Sequence, residues 1–234
     1  MRVKPILFNT GMVQAILEER KTATRRIIKP QPGKGQDHKL GTCIDGDRCN
    51  VGKFAFGTSA QGGRILYVKP PCLPGDILYA REKWNFAYNL DDSDHVMEGT
   101  GRYVYYADDP MPFSHWVDPD TGEHKEHMPW CPSIHMPKDA ARIWLRVRSV
   151  KAERLQGMTM DDFLSEGVVI RPEAFNDPEN AYMQARDEFI RIWDSTLSGG
   201  QQDLYGWEAD PWVWEIEFER CGKPEEQHVP SDNP

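Results

Sequence analysis

The stretch EERKTATRR, residues 18–26, sets Lys21 and Thr24 three residues apart among Arg20, Arg25 and Arg26. A hydroxyl near an amine is the raw material of a nucleophile and its base, because threonine supplies the attacking oxygen and lacks only a proton acceptor. Lysine at its ordinary pKa of about 10.4 is a poor base at neutral pH. Desolvation and neighbouring cations such as Arg25 or Arg26 lower that value, whereas a nearby carboxylate opposes the shift. The plainer alternative, which spacing alone favours, is a solvated helix end of Glu18, Glu19, Arg20 and Lys21, with the threonines filling a strand.

The flanking elements decide between these readings. Residues 2–8, RVKPILF, predict a first strand, and Thr10 is placed to cap a helix from Gly11 to about Arg20 with Met12, Val13, Ile16 and Leu17 as its apolar stripe. TATRRII has strand-like β-branched character up to Lys29-Pro30. Residues 30–63 are rich in glycine and polar side chains and predict a long loop or insertion. A short strand, RILYVKP, and a Pro-Gly-Asp turn then lead into the apolar run Ile77 to Ala80. Residues 87–138 predict a second insertion holding one short strand, RYVYYA.

RIWLRVRSVKAERL alternates Ile143, Leu145 and Val147 with Arg142, Arg146 and Arg148, the pattern of a long strand with one buried face. Those arginines are phosphate-contact candidates in principle, although alternate polar positions normally face water. Thr159 caps a short helix, MDDFLSEG, that Gly167 ends, and residues 179–196 form a longer one. PWVWEIEFER closes the chain as a strand, half core and half solvated. Strands outnumber helices and no βαβ rhythm is present, so the expected class is α+β: a small, partly open β-barrel with flanking helices and long loop insertions. One domain spanning 1–221 and a flexible tail over 222–234 are expected.

With 234 residues the chain can bury a core without disulfide staples. Its formal charge of -9 argues against gripping long duplexes by neutralising phosphates. The tail sets Lys223 against Glu225, Glu226 and Asp232, so removing it leaves -7. Five cysteines without CxxC spacing, and no apolar-centred leader, predict a reduced, cytoplasmic protein. No apolar run reaches the roughly 18 residues of a membrane span.

Other constellations are weaker. His124, His127 and Cys131 form H-x2-H-x3-C, and Cys43 with Cys49 forms C-x5-C; neither has tight zinc-ligand pairs, so no metal and no cofactor are expected. Trp84 or Trp130 offers a face for stacking on a base, and His135 a group at a pocket mouth, against the alternative that these residues are loop anchors or core. Ser133 and His135, neighbours on an extended loop, do not make a nucleophile-base pair.

The run E-R-K-T-A-T-R-R resembles the G-x-K-x-x-[ST]-x-R signature of the ASCH domain family, members of the PUA-like β-barrel superfamily associated with RNA and modified nucleobases. Lys21, Thr24 and Arg26 fall on its polar positions, while Glu19 stands where the signature has glycine, a departure that bears on the helix exit. The similarity extends to the larger phage- and prophage-type ASCH proteins through PILFNTGMVQAILEERKTATRRIIKPQP, PGDILYAREKW, PSIHMPKDAARIWLRV, LQGMTMDDFLSEGV and PWVWEIEFER.

This resemblance implies a PUA-like fold and an amidohydrolase that removes the acyl group of N4-acetylcytidine-type compounds through a Thr-Lys-Glu set. Thr24 and Lys21 match directly, and Glu166 of LSEG is the matching acid; Asp161, Asp162 and Glu82 are weaker candidates. Arg26, Glu82, Trp84 and His135 are the expected substrate-binding residues, whereas Glu18 and Arg20 are expected to stay on the surface. The implied partner is a small nucleoside or nucleobase, with RNA possible and no membrane. The alternative is a non-catalytic PUA-like protein of phage origin that binds RNA or a modified base.

Overall fold

A computed structural model describes residues 1–33, 36, 38–44, 50–57, 64–113 and 115–225. Cys49, residues 58–63 of the first expected insertion, and the tail from 226 onward lie outside the described residues. In chain order the elements are β1 (Val3–Leu7), α1 (Thr10–Leu17), β2 (Ala23–Ile27), β3 (His38–Thr42), β4 (Phe54–Gly57) and β5 (Leu66–Val68). Next come β6 (Ile77–Arg81), β7 (Trp84–Leu90), β8 (Val96–Tyr105), β9 (Trp116–Val117) and β10 (His124–Lys125). The chain closes with β11 (Trp144–Arg154), α2 (Met160–Ser165), α3 (Pro178–Ser195), α4 (Gln202–Tyr205) and β12 (Trp212–Cys221). The class is mixed α+β, mostly strands in several sheets, and among the described residues none of these sheets closes into a barrel. No described helix is long and apolar enough to cross a membrane.

The chain divides into two compact units. In the first, formed by 1–14, 76–146 and the end of the chain from 220, β1 pairs in parallel with β6, and β6 pairs antiparallel with Trp144–Arg146 at the start of β11. Its core gathers Ile77, Tyr79, Met136, Ala140, Ala141 and Trp144. The second expected insertion holds more regular structure than its sequence predicts: β7 and β8 make a long antiparallel hairpin, and β9 pairs with β10. A register shift between Tyr88 and Leu90 and the glycines of β8 break the alternation that would have advertised these strands.

The second unit, formed by 15–75 and 147–219, orders β11, β12 and β2 side by side, with β12 antiparallel to β2. The expected loop at 30–63 carries β3 and β4, which join β5 in a three-stranded sheet. That sheet covers one face of β12: Phe54 meets Trp214 edge to face with centroids 4.8 Å apart, and Phe56 meets Trp212 at 5.0 Å. Val213, on the other face, joins the cluster of Phe163, Ala185, Phe189, Trp193 and Trp207 from the α2 and α3 side. β12 is therefore buried on both faces over its first half, a correction to the half-solvated strand expected from its glutamates. Asp177 caps α3 by accepting from the Glu179 and Asn180 amides.

Candidate functional site

Asn9, not Thr10, caps α1: its Oδ1 accepts from the Met12 amide at 2.9 Å. The helix stops at Leu17, short of the expected Arg20. Its exit is a Schellman motif in which the Arg20 amide donates to the Ala15 carbonyl at 2.9 Å and the Glu19 amide to the Ile16 carbonyl at 3.1 Å. This geometry places Glu19 at the left-handed position, with φ 61°. Glycine favours that conformation because it has no Cβ to crowd the next carbonyl. The turn then delivers Lys21, whose amide also donates to Ala15, at 3.0 Å.

Across from it, Thr159 and Asp162 form a reciprocal capping box that starts α2. Glu166 ends this helix and Gly167 follows with φ 88°; a Cβ there would lie 2.8 Å from the Ala15 Cβ and 3.1 Å from the Lys21 Cβ. Lys21 and Glu166 pair as an isolated antiparallel bridge, and the Thr22 amide donates to the Ser165 carbonyl at 2.8 Å. Arg20, expected to be a plain surface residue, donates to the Gly167 carbonyl at 2.7 Å as well as to Glu18.

The Lys21 ammonium donates to the Glu166 carboxylate and, at 2.9 Å, to its main-chain carbonyl. Burial is the largest influence and holds the lysine below its ordinary pKa; the Glu166 charge opposes this, while Arg26 and Arg25 reinforce it. The other Glu166 oxygen faces Arg25 Nη1 at 3.4 Å. Arg25, whose side chain has no exposure, also donates to Glu153 at 2.8 Å, Asp162 at 2.7 Å and Glu215 at 3.5 Å. Desolvation alone would depress its pKa, but the surrounding carboxylates raise it above the ordinary arginine value. Burial pushes the Glu153 carboxyl up against the pull of Arg25. For Asp162 burial acts upward too, but hydrogen bonds from Thr159 and the charge of Arg25 outweigh it and leave the carboxyl below its usual value.

Strand alternation sorts the remaining residues. Arg25 pairs with Glu215 across β2 and β12, on the face that meets α2. Thr24 and Arg26 project from the other face, opposite Ile216 and Trp214. Thr24 is 1% exposed; Arg26 is half-buried, and its desolvation lowers its pKa with Glu166 opposing. The structure thus brings Lys21 and Glu166 together and turns Thr24 to the opposite side of its strand from Arg25. A cavity of about 330 Å³ is lined by Asp161, Asp162, Glu215, Glu217, Arg148 and, among others, Thr22 and Ser165, the chain neighbours of Lys21 and Glu166, which do not themselves line it. Four carboxylates stand against Arg148 in its wall, a balance that disfavours phosphate.

Glu82, Trp84 and His135 belong to the first unit and are described there. Glu82 is 2% exposed and receives both arms of the Arg142 fork at 2.9 Å. Arg142 Nη1 also reaches Asp108 at 2.7 Å, and the guanidinium lies over the Tyr105 ring at 4.0 Å. Burial raises the Glu82 carboxyl despite Arg142, and raises the Tyr105 hydroxyl to about 12. Arg142 is thus an ion-pair partner, not the water-facing strand residue expected. Trp84 tilts against Tyr103 at 5.7 Å, and His135 is exposed at the end of a short 3-10 turn.

Arg25, Glu153 and Glu215 are the residues that sequence reasoning missed as part of the site. Arg25 entered only as a neighbouring charge, and its partners lie 128 and 190 residues away in the chain. The period-2 alternation of TATRR, which separates Arg25 from Thr24 and Arg26, was the one available signal. Compared with known proteins, the chain matches no family model, no curated protein and no solved structure.

Proposed function

We propose that the chain is an ASCH-type amidohydrolase with a PUA-like fold, acting on N4-acylated cytidine or cytosine as a free nucleoside or base. The observation that carries this reading is the Lys21–Glu166 pair: a desolvated ammonium, its pKa lowered, hydrogen-bonded to a carboxylate whose other oxygen faces Arg25. The left-handed backbone at Glu19 adds support, since the signature carries glycine at that position.

Two routes use this set. In one, neutral Lys21 takes the Thr24 proton, Thr24 attacks the acyl carbonyl, and water hydrolyses the resulting ester. In the other, Glu166 takes a proton from water as Lys21 polarises the carbonyl, and the cytosine amine leaves with that proton. Both consume one water and give a carboxylic acid and the free amine.

Incubation with N4-acetylcytidine, followed by chromatography for cytidine, tests the proposal. Turnover that survives in Thr24→Ala and is lost in Glu166→Gln selects the water route. Loss in Thr24→Ala with a trapped acyl-protein selects the covalent one, and no turnover of any N4-acylcytosine compound by the parent chain removes the proposal. The alternative is a non-catalytic protein that binds RNA or a modified base: Lys21 is only 2% exposed and paired with Glu166, a structural tie that requires no turnover. Binding of an RNA or modified base without product, weakened by Lys21→Ala, identifies that case.

A further inference from the structure

The first unit carries an independent group of ligating side chains. Asp94, His115 and His124 are all exposed, and each places a ligand atom within 4.8 Å of the other two. Register explains the histidines. β9 and β10 pair Val117 with His124, so His115, two residues before Val117, falls on the same face as a diagonal neighbour of His124. The imidazoles stack with centroids 6.1 Å apart. Asp94 arrives from the β7–β8 connection, where it holds φ 62° in a turn whose Asp91 Oδ1 accepts from the Ser93 and His95 amides.

We propose that Asp94, His115 and His124 bind a divalent first-row transition ion of the zinc class. Two imidazoles and one carboxylate are the borderline nitrogen and oxygen donors this class prefers, whereas magnesium and calcium call for oxygen-rich shells. Tetrahedral bonds of about 2.0–2.1 Å require donors roughly 3.3 Å apart. The present separations lie within 4.8 Å, so binding an ion draws the three exposed side chains closer together.

The surroundings favour a cation. Between 91 and 126 the sequence holds ten Asp and Glu against only Arg102 and Lys125, so this segment carries most of the acidic excess of the whole chain. His115 also borders a cavity of about 560 Å³ with Tyr88, Phe113 and Trp116 in its wall. Three protein ligands leave a coordination position open for water or for a guest in that cavity. The sequence-level spacing pointed elsewhere, to His124 with His127 and Cys131. His127 instead lies 4.0 Å from Glu126, and the Cys131 thiol faces Asn85 Oδ1 at 3.9 Å.

The test is a titration of the full chain with Zn²⁺ by calorimetry, and with Co²⁺ by visible absorption, after chelator treatment. One ion per chain is expected, with affinity reduced at least about tenfold by each of D94A, H115A and H124A, and unchanged by H127A and C131A. All five positions are outside the buried cores, and circular dichroism confirms that the variants are folded. Absence of binding overturns the proposal, as does binding that survives the H115A/H124A double variant. Neither result bears on the Lys21–Glu166 reading, which is assayed by cytidine release.

Discussion

Arg25 and Arg142 each hold a buried glutamate, one in each unit, yet they share out their hydrogen bonds differently. Arg142 closes its fork on the two oxygens of Glu82 and spends its remaining nitrogen on the exposed Asp108, so Glu82 is fully engaged by one partner. Arg25 has no exposure and spreads over Glu153, Asp162, Glu166 and Glu215. Glu166 is consequently divided, one oxygen toward Arg25 and the other held by Lys21. A carboxylate closed by a fork is a structural tie. One shared between a fixed guanidinium and a desolvated amine is a place where a proton can move.

The largest effect that separates the two centres concerns turnover. Removing a positioned acid or base costs typically 10²–10⁴-fold in rate. Lys21→Ala and Glu166→Gln are therefore expected to lower N4-acetylcytidine hydrolysis by at least about 10²-fold, while Arg142→Ala stays within about tenfold of the parent. Equal losses at both centres would break the distinction. The pH profile sharpens it through a Lys21 limb centred below the ordinary lysine value: on the covalent route, where Lys21 works neutral, the rate rises with pH across that limb, and on the water route, where its ammonium polarises the carbonyl, the rate falls across it. Glu166 raises that pKa, so the residual activity of Glu166→Gln should show the limb at lower pH.

Stability in urea comes next. Stripping the cation from a buried cluster leaves charges unpaired, at a cost of about 3–5 kcal/mol, and this is the expectation for Arg25→Ala. Arg142→Ala is expected to cost less, about 1–3 kcal/mol, because it strands one buried carboxyl, Glu82, whose pKa is already raised, while Asp108 is half exposed and keeps its water. The pH dependence of that second cost follows from Glu82. Its folded pKa is raised, so between 4.5 and the folded value the native state binds the proton that the unfolded chain has released. Stability from this group is thus present at low pH and lost as pH rises through the window. Arg142 pulls the value down, so its removal widens the window, and the cost of Arg142→Ala should be greater at pH 8 than at pH 5. Denaturation midpoints at the two pH values check this.

Much of this arrangement was legible in the chain, and the omissions have physical causes. The alternation around Trp144 gave β11, Thr159 gave the start of α2, and the resemblance gave Lys21 and Glu166, which do meet. β3 and β4 escaped because they are short, lie among glycines, and acquire their apolar burial only against Trp212 and Trp214 far along the chain. β12 read as half-solvated because Glu215 is charged, and nothing local announces that Arg25 receives it. The cap of α1 was assigned one residue late, since Asn9 and Thr10 are both competent caps and only the helical phase selects between them. The faces of β2 were implicit in TATRR, but which face meets α2 depends on the pairing of β2 with β12.

Two backbone positions beside Lys21 set the smallest test. Gly167, with φ 88°, packs against Ala15 and Lys21, so Gly167→Ala meets both a left-handed penalty of about 1–2 kcal/mol and a Cβ contact at 2.8 Å. It should lower stability by at least that amount and displace Lys21. Glu19 makes the opposite case: it occupies the same region at φ 61° and already bears the strain of its Cβ. Glu19→Gly relieves that strain but adds freedom to the unfolded chain, so the two terms partly cancel and a net gain of about 0.5–1 kcal/mol is expected. Its side chain is exposed and stands outside the Lys21–Glu166 contacts, so turnover should move little while the urea midpoint rises. A drop in stability would mean that Glu19 contributes through its side chain and that glycine is not what this helix exit selects. A rise would tie the glycine of the signature to the backbone turn that presents the lysine.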